Sequence, residues 1–276
     1  MTRGRNTARG RITTRGDTTS RIRDIAWVLL ALLPASQLLA DDAPAPPPPQ
    51  GVWIGKGQFG FLDSHGNSNA ESINGNVDVL RYDGSWKNEL YAGGLYGKSA
   101  GITSAERIEA HEQSNYTISG NLFAFGGARY EHDEYDGFQY QYTFTAGLGY
   151  KLLDTNSDKL TVQLGAGYTR LRPETILKNA DGAVISRTPL NAEGEAIGTF
   201  GLDYSHAFNK STIFTNKLVI DAGSVNTNIN DQLALTVKMS QKLALSVGYG
   251  IVDNTKPAFP TKNLDTTATV NLVFAF

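Results

Sequence analysis

Apolar and polar residues alternate with a period of two along most of this chain. From Phe138 to Leu152, aromatic or aliphatic residues occupy every even position, and Gln, Thr, Gly and Lys occupy the odd positions. The alternation returns over 160–168, 233–239 and 243–251. Since successive side chains of a β-strand point to opposite faces, this pattern predicts strands with one apolar and one polar face.

The alternation divides the chain into twelve predicted strands. The 226 residues from Gly51 onward give about 19 residues per strand and connector, which suits tilted membrane strands of about ten residues. We therefore predict an all-β fold, a single antiparallel transmembrane β-barrel of about 12 strands. Ten or fourteen strands remain open, because 122–133 alternates ambiguously and Asn216 interrupts an apolar face. The predicted strands cover roughly 53–62, 70–81, 86–97, 107–119, 122–133, 138–152, 159–170, 194–207, 212–222, 228–239, 243–253 and 264–276.

The connectors have two length classes. Those after even-numbered predicted strands are tight, as at Gly120-Asn121 and Asn209-Lys210, whereas those after odd-numbered strands are usually longer, above all 173–193. Short periplasmic turns and longer external loops are typical of bacterial outer-membrane barrels.

The first 40 residues have the organisation of an export signal. Seven arginines precede the apolar run Ile25–Leu33, which is too short to span a bilayer. We predict a signal peptide over 1–40, a proline-rich periplasmic linker over 41–51 and an outer-membrane barrel over 52–276. A mitochondrial transit peptide is the alternative for the first segment, since it would also be rich in Arg and Thr.

The last predicted strand carries an assembly signal on its apolar face. Val270, Leu272, Phe274 and Phe276 share that face, and the chain ends on an aromatic residue. This arrangement is typical of the terminal strand that the barrel-assembly machinery recognises. An ordinary last strand of a soluble β-sandwich is the alternative.

Composition excludes several classes of function. The chain has no Cys, so it has neither a disulfide framework nor a thiolate site. Without residues 1–40 it keeps 18 basic and 25 acidic residues, a net charge of −7 that argues against nucleic acid as a partner. We expect outer-membrane lipid and lipopolysaccharide as its surroundings, and no cofactor.

Two enzyme-like motifs lack their structural context. Gly55–Gly60 matches a dinucleotide fingerprint and Gly97–Gly101 a nucleophile elbow, but each motif requires a helix after it, and we predict a strand and a flexible loop respectively. We therefore predict no catalytic residue. Four histidines lie in separate segments, and the acidic run around His132 is more typical of solvated charge than of a metal site.

Several short motifs of the chain resemble those of a family of outer-membrane proteins. Gly66-Asn67-Ser68-Asn69, Arg129–Asp133, Gly147–Tyr150 and Gly165–Tyr168 are similar to motifs of the YdiY-like, salt-induced outer-membrane proteins. The resemblance covers most of the chain beyond the linker. It implies an outer-membrane barrel, and because the family's function is largely unknown, it implies no site residues.

Charged residues on the polar faces are the candidates for a function. Such side chains cannot face lipid cheaply, so we expect them in the lumen. A narrow passive channel for small solutes or ions is our leading hypothesis; a structural or envelope-stress (salt-response) barrel and an outer-membrane hydrolase are the alternatives. Glu131 and Asp133 are expected near the outer mouth. The pore-lining candidates are Lys87, Glu89, Arg107, Glu109, Arg129, Glu131, Asp133, Lys151, Glu195, Asp203, Lys217 and Lys238.

Overall fold

The computed structural model describes residues 49–64, 70–134, 137–180, 183–256 and 263–276. The predicted signal peptide lies outside the described residues, as do most of the predicted linker and the Gly66–Asn69 motif. No helix in the described part of the chain is long and apolar enough to cross a membrane.

The described residues form thirteen strands, as the period-two pattern requires. They are β1 (Trp53–Ser64), β2 (Ala70–Asp83), β3 (Trp86–Ser99), β4 (Ile102–Ser119), β5 (Leu122–Asp133), β6 (Phe138–Asp154), β7 (Asp158–Lys178), β8 (Val184–Pro189), β9 (Glu193–Ala207), β10 (Thr212–Gly223), β11 (Thr227–Lys238), β12 (Leu243–Asn254) and β13 (Leu264–Ala275).

Twelve of these strands close into an antiparallel ring. Each pairs with its neighbours along the chain, β7 pairs with β9, and β1 pairs with β13 to close the barrel. The short β8 pairs with the outer end of β7 and lies outside the ring. The predicted twelve-stranded antiparallel barrel is therefore confirmed.

The outer face of the ring is apolar. Large exposed hydrophobic side chains, such as Phe144, Leu148, Leu164, Val247 and Val270, share the outward parity of their strands. In a closed barrel every backbone group of a paired strand is satisfied within the sheet, which is the condition for crossing lipid with strands. The molecule is thus an outer-membrane β-barrel, with its short turns at one end and its longer connections at the other. We call the end with the longer connections the outer end.

The ambiguous alternation of apolar and polar residues in β5 has a physical explanation. Phe123 and Phe125 are buried on the inward face, where apolar residues were not expected. The ring of Phe123 covers the place where a side chain at Gly149 would lie, and Phe125 does the same at Gly165. Aromatic residues therefore fill part of the interior over inward-facing glycines, which hides the alternation of β5.

Two predicted loops are more ordered than expected. The long connector 173–193 continues β7 and returns as β8, so it is a hairpin at the outer end of the barrel. The predicted flexible loop at Gly97–Gly101 is wrong, because β3 runs to Ser99 and a tight turn follows at Ala100 and Gly101, which have φ values of 51° and 80°.

Candidate functional site

Seven of the predicted pore-lining residues form two groups of ion pairs along the barrel, and Lys56 forms a separate interior pair with Asp78. The crossing triad consists of Lys87, Glu89 and Lys217; the arginine–glutamate quartet consists of Arg107, Glu109, Arg129 and Glu131. Gly93, four residues beyond Glu89 on β3, pairs with Glu109 on β4, so the quartet lies nearer the outer end of the sheet. Seven predicted pore-lining residues are thereby brought together.

The crossing triad spans the lumen. The Nζ atom of Lys217 on β10 lies 3.2 Å from Oε1 of Glu89 on β3, and Nζ of Lys87 lies 3.3 Å from Oε2 of the same carboxylate. In the twelve-stranded ring β3 and β10 are six strands apart, on opposite walls. One carboxylate therefore joins the two walls of the barrel through an ion pair.

The quartet lies on the neighbouring strands β4 and β5. Glu131 contacts Nη2 of Arg107 at 2.8 Å and Nη2 of Arg129 at 2.6 Å, while Glu109 lies 3.1 Å from Arg107 and 3.2 Å from Arg129. Their side chains are only 8–22% exposed. Two positive and two negative charges alternate here, so the quartet is electrically neutral and compact.

Four of the remaining pore-lining candidates lie next to a member of these two groups or near the end of a strand. Asp203 is the register partner of Lys217, and Asp133 is the register partner of Arg107 at the outer end of β5. Lys151 pairs with Asp154 at the β6–β7 turn, and Lys238 is the last residue of β11. These residues do not belong to the two ion-pair groups.

Glu195 holds an outer loop in place. Its Oε2 accepts a hydrogen bond from the backbone N–H of Val225, and Oε1 accepts one from the backbone N–H of Asn226. The hydroxyl of Ser224 donates to the same carboxylate. Glu195 therefore fixes the β10–β11 connection at the outer rim.

Sequence reasoning missed an aromatic pair beside the ion pairs. Tyr91 and His111 are register partners on β3 and β4, and their rings stack with centroids 4.7 Å apart. Both share the inward parity of Glu89 and Glu109. The alternation could have revealed their inward position, but the stacking depends on a register that parity does not specify.

Polar residues also meet on the lipid-facing side. The Asn216 side-chain amide donates to the Asp231 carboxylate, which explains how Asn216 is tolerated on an apolar face. On β3 and β4, the Ser114 hydroxyl is 2.7 Å from Oδ1 of Asn88 and 2.6 Å from Oε1 of Glu112. The single hydrogen of the Ser114 hydroxyl is donated to one of these two acceptors at a time.

The acidic run around His132 does not converge. Glu131 faces inward into the quartet, whereas His132 Nε2 lies 2.9 Å from Glu134 on the other face. Arg187 of β8 contacts Glu134 at 2.7 Å and Glu174 at 2.8 Å, so these carboxylates anchor the outer hairpin. Asp136 lies outside the described residues.

The predicted assembly-signal residues face outward and end at the closing seam. Val270, Leu272, Phe274 and Phe276 are all exposed on the lipid face. The backbone of Phe276 exchanges two hydrogen bonds with Gly55, each 3.0 Å long. This aromatic terminus therefore helps to join β13 to β1; its recognition by the assembly machinery stays a prediction.

Comparison with known structures returns outer-membrane barrels. The translocator domain of the autotransporter NalP from Neisseria meningitidis matches at 14% identity, covering 81% of this chain and 88% of that one with a TM-score of 0.46. The COG4313 outer membrane channel from Pseudomonas putida F1 matches at 11% identity, covering 87% and 100%, with a TM-score of 0.46. The NanC porin matches at 10% identity, covering 81% and 98%, with a TM-score of 0.45.

Comparison of the sequence points to one family. The uncharacterized protein YdiY of Escherichia coli (strain K12) is 22% identical over 203 residues, which cover 72% of this chain and 73% of YdiY. A family model described as a protein of unknown function, DUF481, matches residues 57–276, nearly the whole barrel. The chain therefore belongs to the DUF481 family, as its YdiY-like motifs indicate.

Proposed function

We propose that this protein is a narrow passive channel for small ions or solutes across the outer membrane, with the crossing triad as its constriction. The observation that carries the proposal is the partly exposed Lys217–Glu89 pair between opposite walls of a closed barrel. A charged interior that solvent reaches is what passive passage requires.

Water access to the lumen follows from the exposure of its cations. The side chain of Lys217 is 46% exposed and that of Lys87 is 36% exposed, although both face the interior. Lys56, which pairs with Asp78 at 3.3 Å, is 50% exposed. Space around these ammonium groups therefore accommodates water, which a tightly packed interior would exclude.

A closed structural barrel is the second candidate, and the quartet favours it. Its four side chains are largely buried and mutually neutralised, so they leave little free charge to attract a passing ion. A barrel whose interior charges are paired in this way would serve the envelope without conducting, for example in a stress or salt response.

The hydrolase alternative gains no support from this geometry. Ser99 is the last residue of β3, and it is followed by the tight Ala100–Gly101 turn into β4. A nucleophile elbow needs a strand-to-helix turn that presents the serine above an oxyanion hole. The serine here instead ends one strand of a hairpin.

Single-channel recording in planar bilayers tests the proposal. Intact protein should give small, discrete conductance steps, and Lys217→Ala should give larger ones because it removes the bridge between the walls. Lys56→Ala is the matched control: it deletes the same charge from an ion pair of similar length, but between the neighbouring strands β1 and β2.

The two candidates predict different recordings. Larger steps in Lys217→Ala than in Lys56→Ala would support a constriction at the triad. Electrically silent bilayers for the intact protein and for both variants would overturn the channel and leave the sealed barrel. Equal increases in both variants would remove the triad from its role as the constriction.

A further inference from the structure

A carboxylate lies on the lipid-facing side of the barrel, in the half with the short turns. Glu112 of β4 shares the parity of the exposed Ile108 and Tyr116, whereas Glu109 of the quartet has the opposite parity. The rings of Tyr116 and Trp86 meet on the same outward face with centroids 5.0 Å apart, as in the aromatic girdles that mark a membrane boundary. Glu112 is four residues farther along β4, so its backbone lies about 10 Å inside that boundary for strands tilted by about 40°.

The Glu112 carboxylate is turned back toward this boundary and is not neutralised. Its Oε1 atom lies 2.6 Å from the Ser114 hydroxyl, and the same hydroxyl lies 2.7 Å from Oδ1 of Asn88, so one hydrogen serves two acceptors. Among the described residues no basic side chain pairs with Glu112. Since a charge that faces lipid is costly unless it is paired, the site lacks a cationic donor.

An apolar groove of about 440 Å³ leads from Glu112 toward the middle of the lipid face. Its floor is formed by the small side chains of Ala92, Ala110 and Ala128, which are outward register neighbours on β3, β4 and β5. One wall is aliphatic and comes from β2 and β3; the other is aromatic and comes from β5 and β6. The wall residues are Val77, Val79 and Leu90 on one side and Tyr130, Tyr142 and Phe144 on the other.

The size and charge of this outward groove favour a lipid over a protein. A single turn of an α-helix, about 10–12 Å across and about 5.4 Å long, would already occupy such a volume, so the groove does not seat a helix over several turns. A second copy docked through a two-fold axis would present the same patch to itself, and Glu112 would then face another Glu112. An acyl chain with a positively charged head matches both the apolar groove and the carboxylate at its end.

We propose that the outward groove binds a membrane phospholipid whose head carries a primary ammonium group. The ammonium donates a hydrogen bond to the Glu112 carboxylate, and one acyl chain lies over the alanines between the two walls. The Nδ2 atom of Asn88, which has no acceptor among the described residues, is available to the lipid phosphate. A quaternary ammonium has no N–H group, so it cannot make the same hydrogen bond. The site lies on the outside of the barrel and is therefore independent of conduction through the lumen.

Quenching by brominated acyl chains reports which lipid occupies the groove. Phe144→Trp places an indole in the aromatic wall, in a background whose native tryptophans are phenylalanine. Leu235→Trp is the control, at an exposed outward position on β11, six strands from β4 in the ring. The vesicles contain equal parts of phosphatidylethanolamine, a primary ammonium lipid, and phosphatidylcholine, a quaternary one, and either lipid carries the bromine.

Two pairs of variants separate the charge of the site from its shape. Glu112→Gln removes the charge at nearly constant size, and Glu106→Gln is its control, at an outward glutamate of the same strand beyond the groove. Ala110→Leu fills the groove, and Ala268→Leu is its control, at an exposed outward alanine on β13. Heat-modifiable gel mobility verifies that each variant is folded.

At position 144, phosphatidylethanolamine should be enriched about fivefold over phosphatidylcholine, which corresponds to about 1 kcal/mol for one accessible ion pair. At position 235 the two lipids should quench equally. Glu112→Gln and Ala110→Leu should abolish the enrichment, and their controls should keep it. Equal quenching by the two lipids at position 144, or enrichment that survives Glu112→Gln, would overturn the proposal. An indole at position 144 that neither lipid quenches would also overturn it, because another protein would then cover the groove.

Discussion

Arg129 illustrates which features of a residue its sequence position can reveal. Parity predicted that Arg107, Glu109, Arg129 and Glu131 face inward, but it did not predict which carboxylates each guanidinium would contact. Those partners depend on the register of β4 against β5, where Glu109 lies opposite Glu131 and His111 opposite Arg129. The Lys217–Glu89 pair was even harder to predict from the sequence, because its prediction requires knowing which strands face each other across the barrel.

Removing one member of the quartet should be costly. In Arg129→Leu, Glu109 and Glu131 each lose a partner while they stay largely buried, so the barrel should lose about 3–5 kcal/mol of unfolding free energy. Reversible urea unfolding in lipid vesicles measures this loss.

The control for that experiment is Arg81→Leu. Arg81 and Asp83 form an exposed pair at 3.4 Å, for which about 0–1 kcal/mol is expected. Equal losses in the two variants would show that the quartet is no more than a set of solvated charges.

Single strands show where alternation is a sufficient guide and where it is not. The strands β6 and β12 were predicted closely, since each has a consistently apolar outward face. On β5 inward phenylalanines over glycines disturb the pattern. From Glu174 onward β7 extends past its partners in the barrel and pairs with β8, so lipid no longer imposes the alternation there. An inward-facing position also does not guarantee space for a larger side chain, because a side chain at Gly147 would overlap the Leu164 carbonyl oxygen.

Two adjacent positions on β7 test which side chains face the lipid and which face the lumen. Leu164→Lys places a charge on the lipid face, where Leu164 is 66% exposed, and should cost about 2–4 kcal/mol. Gln163→Lys, one residue earlier on the inward face, should cost clearly less because lumen water can solvate the ammonium group. Comparable losses in unfolding experiments would contradict the assignment of faces on β7.

The terminal element gives a prediction about assembly. Deleting Phe276 removes its two backbone bonds to Gly55 and an exposed aromatic ring from the end of β13. Membrane insertion should fall, and unassembled protein should be degraded. Heat-modifiable mobility of membrane fractions measures insertion; truncation that leaves the folded band undiminished would show that this residue is dispensable.

At the scale of the whole barrel, the proposed channel would take its ion preference from the balance of interior charge. The twelve pore-lining candidates carry six acidic and six basic residues, and parity adds Asp78, Asp221, Asp265 and Lys56 to the inward positions. The resulting nine acidic and seven basic residues predict weak selectivity for cations. Glu131 and Asp133 lie at the end of β5, and their position at the outer mouth stays a prediction; Glu131 is already paired with two arginines.

Neutral amides at both positions test this preference. Glu131→Gln with Asp133→Asn should lower the cation preference more at low salt, because the Debye length falls from about 30 Å at 0.01 M to about 3 Å at 1 M. Reversal potentials across salt gradients measure the preference. A change that is independent of salt would argue against long-range control by charges at the mouth.

The short closing seam has a consequence for the order of folding. It unites Lys56 with Ala275, so its formation restricts almost the entire chain at once, whereas each hairpin closes only a short loop. Contacts of such high sequence separation form late, and a ladder of few rungs also opens early. Since Gly55 exchanges both of its backbone bonds with Phe276, the amides of Gly57 and Phe59 also face β13, whereas those of Lys56 and Gln58 face β2. In amide hydrogen exchange, protection at Gly55, Gly57 and Phe59 should therefore be the last to appear during refolding and the first to be lost under mild denaturant.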